Sequence, residues 1–427
     1  MVLPGQPVED KHMTMQTGKP SSRGGGKKAP LSLYILLDPQ ILADPYPLYH
    51  RLRTEDPVHW DPYLHTWIVT RYEDVLTVLQ HFSASRTPTP EQLTAMGLPK
   101  LVPFAEVLIR QMLFLDPPAH GRIRLLASKA FTPRRVEALR SHIQDITNNL
   151  LDAVQDKGSM DVIADLADPL PAIVTAEIMG LPTSDWKLLT AWSTNFAEIL
   201  GNFQHNPDGV SNVLHTLEEL TQYFREAIRE HQKNPRDDLI SAFLAAEQEG
   251  DCLTEEEVVA NSIMVMTGGQ ETTTNLIGNG LLTLLRLPEQ LEQLRANPQL
   301  IPTAIEELLR YESPIQYTSR LAPYDLELGE KIINKRQAVI AVMGAANRDP
   351  ERFPDPDQLD ITRKDNRHLA FSWGAHFCFG APLARLEGHV AFDTLLRRMP
   401  GMKLVPGPAS WRANMGFRGL TTLPVTL

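Results

Sequence analysis

Apolar residues recur every three or four positions over several long stretches of the chain, the spacing that places them on one face of an α-helix. The pattern predicts helices over 133–157, 162–180, 210–233, 254–286 and 381–398. The longest of them opens on the capping box Thr254-Glu-Glu-Glu257 and ends before Pro288. We therefore expect a mainly helical protein.

Short extended segments complete the pattern. They are predicted at 57–60, 67–70, 331–342 and the C-terminus, whereas 347–357 is interrupted by prolines and predicted to be irregular. The fold class is thus mainly α with small β-sheets. Residues 1–30 are rich in Gly, Lys, Ser and Pro, which predicts a disordered tail ahead of one domain over 31–427.

Composition narrows the function classes. The chain has 427 residues, 42% of them hydrophobic, and a formal net charge of −11, which argues against a nucleic-acid partner. Its two cysteines fit no disulfide or zinc pattern and suggest a reducing, cytoplasmic setting. No apolar run approaches the roughly 18 residues of a membrane span. We expect a cytoplasmic monomer.

The candidate chemistry centres on the stretch Phe371-Ser-Trp-Gly374-Ala-His376-Phe-Cys378-Phe-Gly380, which runs directly into a predicted helix. The glycines allow tight turns and close approach of a flat group. The helix N-terminus is expected to lower the pKa of the Cys378 thiol. One soft sulfur ligand suits the axial position of a haem iron. The plainer alternative is that Cys378 is a small buried hydrophobic residue.

A second unusual string, Thr267-Gly268-Gly269-Gln270-Glu271-Thr272, lies inside the longest predicted helix. Each glycine costs about 1 kcal/mol relative to alanine in a helix interior. A close helix crossing or a functional groove would explain the pair. The adjoining acid and hydroxyl, Glu271 and Thr272, favour the groove because together they could relay protons.

These two motifs resemble those of the cytochrome P450 family, namely its haem-binding signature Phe-x-x-Gly-x-His-x-Cys-x-Gly and its oxygen-activation motif Gly-Gly-x-(Asp/Glu)-Thr. The resemblance implies the cytochrome P450 fold and haem b with Cys378 as the axial iron ligand. It further implies cofactor contacts from Phe371, Gly374, Gly380 and Gly268, and catalytic roles for Glu271 and Thr272.

Two further motifs follow the same family. Glu307-Leu-Leu-Arg310 resembles its Glu-x-x-Arg, which implies a buried structural network with Arg363 of Asp360-Ile-Thr-Arg363. By themselves, Glu307 and Arg310 would more often form a solvated surface pair.

The string Asp116-Pro-Pro-Ala-His120-Gly-Arg122-Ile-Arg124 resembles the family's Asp-Pro-Pro-Glu-His-x-x-x-Arg, with Ala119 in place of Glu. His120 and Arg124 share one helix face. With Arg320 and His376 they are expected to bind the haem propionates, because arginine can hold a carboxylate through two hydrogen bonds.

The resemblance implies a haem-thiolate monooxygenase that hydroxylates or epoxidises a hydrophobic small molecule such as a polyketide or macrolide, free or bound to a carrier protein. NAD(P)H would supply electrons through separate partners, a ferredoxin and ferredoxin reductase, or flavodoxin. Basic residues over 120–140, including Arg122 and Arg134, could dock this donor or form a solvated helix face. Expected pocket residues are Ile315, Gln316, Tyr317 and Phe417.

Two alternatives to this function remain open from the sequence. One is a peroxide-driven hydroxylase of fatty acids or terpenoids, whose members usually lack the acid–threonine pair that this chain has. The other is a non-catalytic haem-binding protein, for which Glu271 and Thr272 would be dispensable.

Overall fold

The computed structural model describes residues 30–130, 132–201, 207–245, 247–248 and 251–427, so the predicted disordered tail lies outside it except for residue 30. Helices dominate this part of the chain and confirm the predicted class. The α-helices are α1 (Pro39–Ala43), α2 (Tyr46–Glu55), α3 (Tyr72–His81), α4 (Pro90–Ala95), α5 (Val102–Leu108), α6 (Ala119–Ala130), α7 (Pro133–Ala138), α8 (Arg140–Asp152), α9 (Pro169–Met179), α10 (Trp186–Gly201), α11 (Pro207–Lys233), α12 (Leu239–Ala245), α13 (Glu255–Arg286), α14 (Pro288–Ala296), α15 (Ile301–Tyr311), α16 (Met343–Ala346) and α17 (Ala381–Arg398).

The predicted helices over 254–286 and 381–398 are confirmed as α13 and α17, and 210–233 lies within α11. Two other predicted helices are interrupted. The stretch 133–157 divides at Leu139, whose N–H bonds to the Val136 carbonyl three residues back. The stretch 162–180 begins as a π-turn over Ile163–Ala167, and α9 starts only at Pro169. Proline supplies no N–H for the preceding turn, which is why α9 begins there.

Small sheets flank the helices, and the predicted irregular segment 347–357 is confirmed. The strands are β1 (Val58–Asp61), β2 (Thr66–Val69), β3 (Ser159–Asp161), β4 (Glu247–Gln248), β5 (Asp251–Cys252), β6 (Thr318–Leu321), β7 (Leu326–Leu328), β8 (Lys331–Ile333), β9 (Ala338–Ala341), β10 (Lys403–Leu404), β11 (Ser410–Trp411), β12 (Leu420–Thr422) and β13 (Pro424–Thr426). A four-stranded sheet has the order β1-β2-β9-β6, in which β2 and β9 are parallel and the other pairs antiparallel.

Helix α13 organises the described chain, because it packs against α9, α10, α11, α15 and α17. Its predicted capping box is confirmed: the Thr254 hydroxyl accepts from the Glu257 N–H (3.2 Å), and the Glu257 carboxylate accepts from the Thr254 N–H (2.9 Å). Most of α13 is buried after its first turn. Among the described helices, none combines the length and the apolar character that crossing a membrane requires.

Candidate active site

A cavity of about 1120 Å³ has α13 in one wall and the loop preceding α17 in another. Gly268 and Thr272 line it from α13, and Cys378 and Gly380 line it from the loop. Most of the remaining lining is apolar and includes Leu93, Leu101, Phe104, Leu108, Phe196, Ile315, Tyr317 and Phe417. This combination is typical of a site for a large, mostly hydrophobic ligand with a few polar attachment points.

The loop fixes Cys378 at the cavity wall. The Cys378 N–H donates to the Phe371 carbonyl (2.8 Å), and α17 begins three residues later at Ala381. Burial raises the pKa of the Cys378 thiol, although the N–H groups of Gly380 and Ala381 and the charge of Arg124 oppose the rise. The expected lowering of this pKa is therefore wrong for the thiol by itself, because burial outweighs the helix terminus. A bound metal would reverse the balance, since coordination deprotonates a thiol.

The four predicted propionate partners lie together on the same cavity: His120, Arg124, Arg320 and His376. The rings of His120 and His376 have centroids 4.2 Å apart. Arg320 is 1% exposed and donates from Nη1 to the Thr318 hydroxyl (2.9 Å), whereas its buried Nε has no partner among the described residues. A buried guanidinium with an unused donor calls for an anion at this position.

The electrostatics of this cluster point the same way. Burial lowers the pKa of Arg320 to about 10 and that of His376 to about 3, and the nearby Arg320 charge adds to the lowering at His376. Both shifts report cations or donors without enough negative charge around them.

The residues present therefore fit a haem. The four basic residues would bind its two propionates, the Cys378 sulfur would bind its iron, and the cavity would accommodate its ring. At Gly268 and Gly380 an added Cβ would meet nothing within 4 Å, so both glycines face open space that a planar group can occupy.

The acid and hydroxyl of α13 occupy different surroundings. Thr272 lines the cavity and donates its hydroxyl hydrogen bond to the Gly268 carbonyl (2.8 Å). Glu271 is 5% exposed and does not line the cavity; its carboxylate pairs with Arg412 (2.5 Å) and accepts from the Thr194 hydroxyl (3.3 Å). The structure thus brings Thr272 to the cavity and holds Glu271 beside it in an ion pair.

Glu307, Arg310 and Arg363 come together behind the loop. The Glu307 carboxylate accepts from Arg310 through Nε and Nη2, both 2.8 Å, and from Arg363 Nε at 3.2 Å. Glu307 and Arg310 are fully buried, and Arg363 is nearly so. Ion pairing of this depth differs from the solvated surface pair that the spacing alone favours.

Comparison with known proteins identifies the family. The family model described as "Cytochrome P450" matches residues 65–400. The chain belongs to the cytochrome P450 family. It is 41% identical over 390 residues to the biotin biosynthesis cytochrome P450 of Bacillus subtilis (strain 168), covering 91% of this chain and 97% of that protein. It is 36% identical to the polyketide biosynthesis cytochrome P450 PksS of the same organism, covering 90% and 96%.

Solved structures agree with the fold. The crystal structure of P450BioI in complex with an acyl carrier protein ligated to hexadec-9Z-enoic acid matches with a TM-score of 0.86 at 41% identity, covering 91% of this chain and 100% of that one. These similarities confirm that the chain has the cytochrome P450 fold and is a cytochrome P450 monooxygenase.

Within this cytochrome P450, two predicted contacts are placed away from the cavity. Ile315 and Tyr317 line it, but Gln316 faces the other way, is 1% exposed, and donates from Nε2 to the Ser313 carbonyl (2.7 Å). Alternate residues of an extended segment face opposite sides, which explains the error. Gly374 does not line the cavity either; it forms a tight turn at a φ of 71°.

The basic region over 120–140 carries less free charge than its composition indicates. Arg122 forms an ion pair with Glu257, and Arg140 pairs with Glu137 (2.5 Å). Arg135 pairs with Asp237 (2.7 Å). Glu257 and Asp237, which are distant in the sequence, and the nearby Glu137 thus neutralise part of the predicted docking patch, and Arg122 in particular is not a free cation there.

Sequence reasoning missed three charged residues in and around the cavity. Arg86 lines the cavity, Arg412 pairs with Glu271, and Glu387 lines the cavity from α17 with both carboxylate oxygens lacking a partner among the described residues. Glu387 lies about two helical turns beyond the Cys378 motif and shares a helix face with the apolar residues Leu383, Val390 and Ala391, so an acid on an apolar face is a usable signal. Arg86 and Arg412 belong to loop segments with no distinguishing pattern.

Proposed function

We propose that this cytochrome P450 binds haem b through Cys378 and uses dioxygen and externally supplied electrons to hydroxylate or epoxidise a hydrophobic small molecule. NAD(P)H would be the electron source, acting through a separate ferredoxin and ferredoxin reductase or a flavodoxin. The observation that carries the proposal is the position of Cys378 in the wall of a large, mainly apolar cavity that Thr272 lines from α13.

Haem held by a thiolate supplies the oxygen-activating chemistry, because thiolate donation favours O–O cleavage. The chain's own residues position it. The hydrogen bond from the Cys378 N–H to the Phe371 carbonyl fixes the position of the backbone that carries the sulfur. His120, Arg320 and His376 supply donors for the propionates.

Protons would reach the reacting oxygen from the α13 side. Thr272 presents its hydroxyl at the cavity, and Glu271 stands one residue away as a proton relay, which would leave Arg412, take up a proton from water and pass it toward the cavity. Gly268 contributes space rather than a functional group, since a side chain there would enter the cavity.

For the substrate we propose a polyketide, macrolide or related fatty acyl compound, free or attached to a carrier protein. The support is the mainly apolar cavity together with the relatives' roles in polyketide and biotin biosynthesis and the carrier-protein complex of P450BioI. The free state of Cys252 and Cys378 supports a cytoplasmic setting.

The first test is spectroscopic. The reduced protein treated with carbon monoxide should show the red-shifted Soret band of a thiolate-ligated haem, and Cys378→His should abolish that band while haem remains bound. A wild-type spectrum typical of histidine ligation would refute the proposal.

The second test separates oxygen activation from the alternatives. Thr272→Ala should consume NAD(P)H and release hydrogen peroxide while product falls, because the hydroxyl at the cavity is gone; Thr272→Ser is the matched control that restores it. Unchanged product yield in Thr272→Ala would favour a peroxide-driven route, and no turnover by the wild type with polyketides, fatty acids or terpenoids would favour a binding role.

A further inference from the structure

Arg86 lies in the segment between α3 and α4 and lines the cavity. Its guanidinium sits over the Phe114 ring, 4.4 Å from the centroid, and Nη1 donates to the Ala84 carbonyl at 3.2 Å. Among the described residues this is its one hydrogen bond, and no carboxylate lies within ion-pair distance. A guanidinium has five N–H donors, so most of the capacity of Arg86 is unused.

Three other enclosed arginines of the described chain have acid partners, whereas Arg320, which is assigned to the haem, donates only to Thr318 and Ser319. Arg348 pairs with Asp357 (3.0 Å), Arg418 pairs with Glu312 (2.7 Å), and Arg310 pairs with Glu307 (2.8 Å). Arg86 departs from this pattern, and its donors adjoin the cavity instead of a protein acid.

Asp116 is the acid whose charge acts on Arg86, and it is already engaged. Its carboxylate accepts from the Ser83 hydroxyl (2.5 Å) and the Ala84 N–H (2.8 Å). Burial, together with the charge of Arg320, lowers the pKa of Arg86 to about 9, so a second cation is close by. An anion bound at Arg86 would relieve both effects.

We propose that Arg86 is a carboxylate-binding group of this cavity, additional to the four residues assigned to the haem. The carboxylate comes either from an acid substrate or from a haem propionate. An acid held at Arg86 would lay its apolar chain along the Leu93, Phe104 and Phe196 side of the cavity. The proposal rests on the proposed function only in that haem and substrate share this space.

The substrate source is tested by titrating the ferric protein with myristic acid and with its neutral methyl ester, following the Soret shift. In Arg86→Gln the dissociation constant for the acid should rise about 10- to 100-fold, while that for the ester stays within about twofold. Arg86→Lys, which keeps the charge and loses the planar fork, should fall between. Arg110→Gln is the control: Arg110 donates to the Glu106 carbonyl and does not line the cavity.

The propionate source is tested by the rate at which haem transfers to excess apomyoglobin. Faster transfer from Arg86→Gln than from the wild type and Arg110→Gln, without an acid-selective change in affinity, assigns the carboxylate to the haem. If the wild type gives no shift with myristic acid, the substrate source is refuted for long-chain acids and the transfer rate decides. Unchanged acid affinity and unchanged transfer together overturn the proposal. Neither measurement uses turnover, so failure of the monooxygenase proposal is recognised separately.

Discussion

Glu307 is the central carboxylate of the buried ion-pair network that we expect to stabilise the loop carrying Cys378. It accepts from both Arg310 nitrogens at 2.8 Å, from Arg363 at 3.2 Å, from the Asp360 N–H at 2.9 Å and from the Asn366 amide at 3.0 Å. Glu307 and Arg310 are 0% exposed. One buried negative charge therefore balances two guanidinium groups that have almost no access to water.

Glu307→Gln removes this charge and keeps the size of the side chain. Removing one partner of a buried pair costs about 3–5 kcal/mol, because the remaining charge stays desolvated. Arg310 also donates to the carbonyls of Asn347 and Pro356, both at 2.8 Å, and Asn347 in turn accepts from the Leu369 N–H at 2.7 Å. The loss of stability should therefore extend to the segment that precedes Cys378.

The assay is urea unfolding followed in parallel by tryptophan fluorescence and by the Soret band. Asp365→Asn is the matched control, since Asp365 also pairs with an arginine through two hydrogen bonds, from Arg352 at 2.8 and 3.0 Å, but is 71% exposed. It should cost less than about 1 kcal/mol. The reasoning is refuted if the two variants lose stability to within about 1 kcal/mol of each other.

Three further outcomes follow from single positions. Gly269→Ala should lower the free energy of unfolding by up to about 2 kcal/mol, because its Cβ would lie 2.7 Å from the Thr175 hydroxyl. Gly268→Ala should raise it by about 1 kcal/mol through better helix propensity and should narrow the cavity. Thermal melts that rank the two variants the other way would contradict this. Burial raises the pKa of Glu387 well above its usual value, so the wild type is penalised by about 1.4 kcal/mol per pH unit as pH rises past that usual value toward the folded pKa. Glu387→Gln should therefore gain melting temperature over the wild type from pH 5 to 8, and a pH-independent difference would contradict the assignment.

Regular elements were predictable from local pattern. The capping box at Thr254 and the following periodicity located α13 correctly, because caps and amphipathic spacing are short-range signals. The two glycines of α13 also show why a pattern can leave alternatives open. Both glycines line the cavity, and Gly269 also lies at the crossing with Thr175 of α9, so the close helix crossing and the groove are both present.

Long-range partners were not predictable from the chain alone. Arg412 lies 141 positions after Glu271, and Glu257 lies 135 after Arg122, yet each forms an ion pair. The resemblance to the cytochrome P450 family did predict Arg363 as a partner of Glu307, because that pairing accompanies the family's Glu-x-x-Arg motif. It supplied nothing for Arg86, whose chemistry follows from the groups that surround it.

The helical arrangement of α13 separates the two residues that we propose deliver protons, Glu271 and Thr272. Residues four apart share a face, so Gly268 and Thr272 both meet the cavity, while Glu271 is turned about 100° from Thr272 toward Arg412. In this structure the hydroxyl therefore faces the cavity, whereas the acid faces Arg412. In the proposed mechanism Glu271 would relay a proton from water to the cavity, either after its carboxylate leaves Arg412 or through water along the helix. We therefore expect Thr272→Ala to interrupt the proposed proton delivery at the cavity, and a change at Arg412 to alter the supply of protons to it.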